Sequence, residues 1–263
     1  MDYELLLCLN ATAEEKRNKI PPEAQSSFDN SFNIEYAHNS TAIEGNTLTL
    51  NQTKAIIEDG LSPAYGKEPR EVYEVANHAK AFAYVQKCVS EGRPLDENIT
   101  KDIHALLMEN ISPGGMYRNE EVRLTGAGHK HPVPSEMYRQ VKKFFADLPY
   151  KGGFNIIELV AWTHAEFVRL HPYTDGNGIT SRMIMNYQLM ANGFLPVSIA
   201  KENRLEYFEA LEAYAVNGDL APFAEMIAGL EQQRLEEYIA IAEQQESGNS
   251  PSLLSLIHIS EPT

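Results

Sequence analysis

The sequence predicts an all-α fold, a bundle of about eight helices carrying one small β-hairpin. Apolar residues recur at helical spacing along most of the chain, capping residues punctuate those runs, and one glycine-centred stretch breaks the rhythm. Composition agrees: 263 residues, 43% hydrophobic and 22% charged, can bury one large core or two small ones.

Taken in order, residues 1–60 are expected to form N-terminal helices, one of them closing at Gly45-Asn46, two residues that favour a left-handed cap. A helix follows Asp96, with Ile99, Ile103, Leu106 and Leu107 at i, i+4, i+7 and i+8. Val122-Arg123-Leu124-Thr125 and His131-Pro132-Val133 flank Gly126-Ala127-Gly128, which reads either as a hairpin or as a surface loop. Met137, Val141, Phe144, Phe145 and Leu148 resume the helical period after Pro134-Ser135. Asn155 with Glu158 forms a capping box ahead of Ile156, Leu159, Val160, Phe167 and Leu170. Further runs span Met183 to Met190, stopped by Asn192-Gly193, and Leu205 to Tyr214, stopped by Asn217-Gly218. Asp219 and Pro222 then open a helix through Phe223, Met226, Ile227 and Leu230.

Charge and cysteines exclude several classes. Lys plus Arg number 22 against 37 Asp plus Glu, a formal charge of −15, which argues against broad capture of nucleic acid or anionic membrane. Cys8 and Cys88 alone make no disulfide scaffold and suit a reducing compartment. No apolar run approaches roughly 18 residues, so no membrane span is expected, and the acidic start does not read as a secretory signal. The expectation is a cytoplasmic protein.

The chemistry concentrates in His171-Pro172-Tyr173-Thr174-Asp175-Gly176-Asn177-Gly178-Ile179-Thr180-Ser181-Arg182, a helix end, a glycine loop and a helix start. Gly176 and Gly178 let backbone N–H groups approach a ligand, and the following helix N-terminus favours an anion, phosphate above all. His171 is a candidate general base, and Asp175 an oxygen ligand suited to Mg²⁺. Asn177 could donate its amide to developing charge, and Arg182, one turn in, could reach a phosphate tail. A calcium loop is the rival. Aligning Gly178 with its invariant glycine puts Tyr173 first and Ile184 twelfth, where Asp and Glu are required, so the rival fails.

As a whole the segment resembles the signature of the Fic family, His-Pro-Phe-x-Asp/Glu-Gly-Asn-Gly-Arg-x-x-Arg, with Tyr173 for Phe and Ile179 for the first arginine. Gly115-Met116-Tyr117-Arg118 and the hairpin look like that family's target-binding flap, and His164 with Phe167 fits its preceding helix. The resemblance spans roughly Asn39 to Met226. It implies a helical protein adenylyltransferase using ATP and Mg²⁺. His171 would take the proton from a target Ser, Thr or Tyr hydroxyl, and Asp175 would hold Mg²⁺ between the α- and β-phosphates. Gly176, Asn177 and Gly178 would form the anion hole, Arg182 would neutralise the terminal phosphates, and Val122, Arg123, Leu124 and Thr125 would pin the target by strand addition.

Upstream, Ser40-Thr41-Ala42-Ile43-Glu44-Gly45-Asn46 reads locally as a helix C-terminus, where a glutamate is slightly unfavourable against the dipole. It resembles the inhibitory Ser/Thr-x-x-x-Glu-Gly/Asn motif of autoinhibited Fic proteins, with Ser40, Glu44 and Gly45 as regulatory residues. That implies Glu44 pairing with Arg182, and in some relatives the same glutamate also serves removal of AMP. Ile179 supports an alternative: a nucleotide-binding regulatory module with little transferase activity.

The expected organisation is N-terminal helices over 1–60, a catalytic core over 61–230, a C-terminal helix over 231–253, and a tail over 254–263. That tail reads as translated sequencing-adapter sequence and should carry no function, His258 included. The expected partners are ATP and a target protein with a hydroxyl side chain, with nucleic acid and membrane disfavoured and a homo-oligomer left open.

Overall fold

The computed structural model describes residues 3–60, 66–122 and 128–246. Among these residues the chain is helical without a strand. Its elements run α1 (Tyr3–Arg17), α2 (Pro22–Ile43), α3 (Leu50–Asp59), α4 (Pro69–Ser90), α5 (Glu97–Leu107), α6 (Pro134–Asp147), α7 (Ile156–Leu170), α8 (Asn177–Ala191), α9 (Arg204–Asn217) and α10 (Ala221–Glu246). Short 3-10 turns at Leu148–Tyr150 and Lys201–Asn203 complete the list. Ten α-helices among the described residues thus replace the expected eight or so.

Local chemistry sets the helix ends. The Asp96 carboxylate accepts from the Ile99 amide at 2.8 Å, and the Asn155–Glu158 box closes with two bonds of 3.0 Å. α9 stops at Gly218, in the left-handed region with φ 71°. The boundary expected at 230/231 falls inside α10, which runs without a break from Ala221 to Glu246. Of the expected hairpin, residues 123–127 lie outside the described residues, and its flanks at 121–122 and 130–133 carry no regular structure.

The fold is organised around α8. One side of it gives Ile179, Met183, Ile184 and Tyr187 to a core shared with Phe82 and Val85 of α4, Ile99 and Ile103 of α5, and Met137 and Val141 of α6. Its other side gives Met185 and Leu189 to a second core with Val160 and Ala161 of α7, Leu211 of α9 and Ile227 of α10. A third cluster joins Ala13 of α1 to Leu235 and Tyr238 of α10. Sandwiched in this way, α8 also buries Thr180, Ser181, Arg182 and Asn186, so its first turn is fixed from all sides.

Buried histidines make this core acid-sensitive. Burial pushes His78 down to about 3 and His104 to about 4, and holds His164 well below its ordinary value. Folded values below the unfolded value of 6.5 mean that the unfolded chain binds protons first as pH falls. Stability is therefore intact above pH 6.5 and is lost progressively below it, by about 2 kcal/mol per such histidine at pH 5. Thermal unfolding at pH 7.5 and pH 5 should show a clear drop in Tm at the lower pH. An unchanged Tm would contradict neutral burial of these rings.

Candidate active site

α7 ends at His171, which takes a left-handed backbone conformation at φ 48° that only Asn110 shares among the described non-glycine residues. The chain then loops over Pro172–Asp175 and enters α8 through Gly176, itself at φ 73°. A Cβ at Gly176 would lie 2.8 Å from the Met108 sulfur and 3.2 Å from His104 Nε2, so glycine is required by both space and backbone. The first N–H groups of α8 have no intrahelical acceptors and point at whatever occupies the space above Gly178.

Glu44 occupies it. α2 ends one residue earlier, and Gly45 at φ 107° turns the chain away. A Cβ placed on Gly178 would collide with Glu44 Oε1, so the carboxylate sits directly over the start of α8. Arg182, only 1% exposed, donates from Nη2 to that same oxygen at 2.8 Å and to the Ser40 carbonyl at 2.8 Å. Its Nε donates to Ser40 Oγ at 2.9 Å and its Nη1 to the Tyr207 hydroxyl at 3.2 Å. Behind it, Ser181 and Tyr207 each lie 3.1 Å from His164 Nε2, a buried network that fixes the guanidinium. Ser40, Glu44 and Arg182, chosen from two motifs far apart in the chain, therefore meet at one point.

Asn177 behaves differently from expectation. Its Oδ1 accepts from the Tyr173 amide at 2.9 Å and its Nδ2 donates to the Tyr173 carbonyl at 2.8 Å. The side chain expected to donate to developing charge is committed to bracing the loop, which leaves the backbone N–H of Asn177 for a ligand. Tyr173 in turn stacks on His104 at 3.6 Å. The Gly115 amide donates to His104 Nδ1 at 2.8 Å, so Nε2 carries the proton and donates to the Asp175 carbonyl at 3.0 Å.

Asp175 borders two cavities. One, of about 810 Å³, is lined by Gly115, Met116, Tyr117, Thr174 and Asp175. The other, of about 440 Å³, lies between the end of α2, the start of α4 and the loop, and includes Glu44, Gly176 and Ile179. The Asp175 carboxylate accepts from the Gly176 amide at 2.7 Å and from Arg70 Nη2 at 2.6 Å. Ile179 is 8% exposed and belongs to the core cluster, so it supplies packing and no charge.

His171 is covered by a second ring. His131 lies against it with ring centroids 4.4 Å apart and planes tilted by 30°, and His131 Nδ1 donates to the Arg169 carbonyl at 3.0 Å. Burial pushes His171 down to about 3, and the neighbouring His131 and Arg118 add to the effect. The imidazole is therefore neutral across the physiological range.

Arg118 ties this region together. Buried to 2% exposure, it donates to the carbonyls of His171 at 2.7 Å, Glu120 at 2.8 Å and Pro132 at 2.6 Å, while its amide donates to Pro172 at 2.9 Å. The chain on both sides of residues 123–127 is thus fastened to the His171 loop. Of the expected flap residues, Val122 is described, and Arg123, Leu124 and Thr125 lie outside the described residues. Arg118→Met would strand three carbonyls, and a loss of about 3 kcal/mol or more is expected in urea unfolding. Wild-type stability in that variant would contradict the fastening role. Sequence reasoning missed His104, His131 and Arg70; a histidine beside the apolar run of α5 was the one legible signal.

Known proteins resemble this chain in sequence and in fold. Residues 94–189 match the family model described as Fic/DOC family. The chain is 35% identical over 214 residues to Protein adenylyltransferase Fic of Nematostella vectensis, spanning 79% of this chain and 49% of that protein. Its identity to the protein of the same name from Aedes aegypti is 32% over 211 residues, spanning 78% and 42%. The chain therefore spans half or less of the length of these curated relatives. Fic-1 from C. elegans superposes with TM-score 0.81 at 28% identity, over 92% of this chain and 73% of that one. A Fic domain containing signaling protein from Bacteroides thetaiotaomicron shares the fold, with TM-score 0.82 at 23% identity over 94% and 100%.

Proposed function

The chain belongs to the Fic/DOC family, and from that premise we propose that it is an autoinhibited protein adenylyltransferase, moving AMP from ATP to a target-protein hydroxyl. The observation that carries this reading is the Glu44–Arg182 pair closed over Gly178, at the helix start that suits a phosphate.

In this reading the target hydroxyl oxygen attacks the α-phosphorus as the bond to the β-phosphate bridging oxygen breaks, and pyrophosphate leaves. His171 takes the hydroxyl proton. Its low proton affinity in the nucleotide-free protein would rise beside an anionic phosphate, which favours the charged ring. The backbone N–H groups at 177 and 178 face the α-phosphate oxygens, and Arg182 takes the terminal phosphates once Glu44 withdraws. Residues 122–125 would align the target backbone.

Asp175 fits a Mg²⁺ ligand. Among the described residues no group of three or more His, Cys, Asp or Glu side chains could hold a metal alone. Mg²⁺ usually takes one or two carboxylates plus phosphate oxygens, so a single exposed Asp175 beside the phosphate site suits it. When bound, the ion would offset phosphate charge. We assign the inhibitory role to helices within 1–60 and the catalytic role to 61–230. The formal charge of −15 supports a protein target over nucleic acid, and two free cysteines support a cytoplasmic setting. No described helix is long and apolar enough to cross a membrane.

The second reading, a nucleotide-binding module with little transferase activity, draws on Ile179 packed into the core. Intact-mass measurement of candidate targets and of the chain itself after incubation with ATP and Mg²⁺ separates the two. A mass gain of one AMP is expected; nucleotide binding without any gain would favour the module.

A further inference from the structure

We propose that Arg70, outside the motif and in the first turn of α4, is a nucleotide-phosphate ligand that replaces the cation missing at position 179. The inference rests on the nucleotide-binding reading above. Ile179 and Arg70 line the same cavity of about 440 Å³, and Arg70 is the one cation among its described lining residues. That lining also carries Glu44, Glu68, Glu71, Glu74 and Asp175, which would repel a triphosphate unless a cation is directed at it.

Arg70 is built to be that cation. Glu74 Oε1 accepts from its Nε at 2.8 Å, and Glu74 is itself held through Oε2 by Asn46 Nδ2 at 2.9 Å. This fixes the guanidinium at its inner edge and leaves Nη2 directed at the motif loop. Nη2 reaches Asp175 Oδ2 at 2.6 Å across 105 residues of sequence. With side-chain exposures of 56% and 47%, that ion pair is screened by solvent and weak, so it yields readily to a multiply charged phosphate. A phosphate oxygen beside Asp175 lies within the reach of Nη2, and the forked guanidinium can hold it with two donors. The cation of this cavity thus comes from α4 instead of α8.

The test is calorimetric titration of the full chain carrying Glu44→Gly with ATP plus Mg²⁺, and separately with AMP. Arg70→Ala should weaken ATP binding about tenfold or more and leave AMP binding unchanged, since AMP lacks the outer phosphates. Adding Ile179→Arg to Arg70→Ala should restore ATP affinity. Should that double variant fail to fold, the ATP-against-AMP split in Arg70→Gln decides alone. ATP bound as tightly or more tightly without Arg70 overturns the proposal and makes Arg70 a competitor for Asp175. Equal losses for ATP and AMP also overturn it. No ATP binding by the Glu44→Gly parent overturns the functional reading beneath it as well.

Discussion

Replacing His171 with alanine should lower AMP transfer by about 10²–10⁴, the usual cost of removing a general base. ATP affinity should barely change, because the imidazole makes no phosphate contact in this account. His171 holds Arg118 through its backbone carbonyl, so the fastening of the loop survives the substitution. The left-handed backbone at φ 48° does penalise alanine, by about 1 kcal/mol. His171→Asn is therefore the better control, since asparagine tolerates that conformation while removing the base. Transfer measured with a saturating target, alongside ATP titration, checks both. Near-wild-type transfer in either variant would show that proton removal lies elsewhere.

Glu44→Gly should raise labelling of the chain and its targets by about tenfold to several-hundredfold. Breaking a buried ion pair costs about 3–5 kcal/mol, and the half-exposed position of Glu44 screens the pair toward the lower end. The substitution clears the space above Gly178 and frees the Nη2 of Arg182 from its carboxylate. Adding Arg182→Ala should cancel the gain. It also leaves Ser40 and Tyr207 without their shared donor, so its folding must be confirmed by thermal melting. An unchanged rate in Glu44→Gly would reduce the α2 motif to a helix end.

Much of this was legible in the sequence, for physical reasons that vary along the chain. Helices buried on one face, such as α5 and α6, announce themselves by period, with an Asp96 cap ahead of α5 and Pro134 opening α6. α2 and α8 show the period more faintly and are legible mainly from their stops at Gly45-Asn46 and Asn192-Gly193, because each buries polar side chains among the apolar ones: His38, Asn39, Ser40 and Thr41 in one, Thr180, Ser181, Arg182 and Asn186 in the other. The loop was readable because glycines and a helix start impose their own geometry. Asn177 was misread, since a free amide and one committed to Tyr173 look identical in sequence. Arg70 gives no signal at all: its meaning comes from α4 being packed beside the loop 105 residues later.

The central claim is AMP transfer held back by Glu44, and ATP labelled at one phosphate tests it most directly. The Glu44→Gly chain is incubated with Mg²⁺ and ATP labelled on either the α- or the γ-phosphate, with the unaltered chain in parallel. Stable protein label is expected from α-labelled ATP, none from γ-labelled ATP, and far less α label on the unaltered chain. Protein label from the γ-phosphate, or no label from either while ATP still binds, would contradict it.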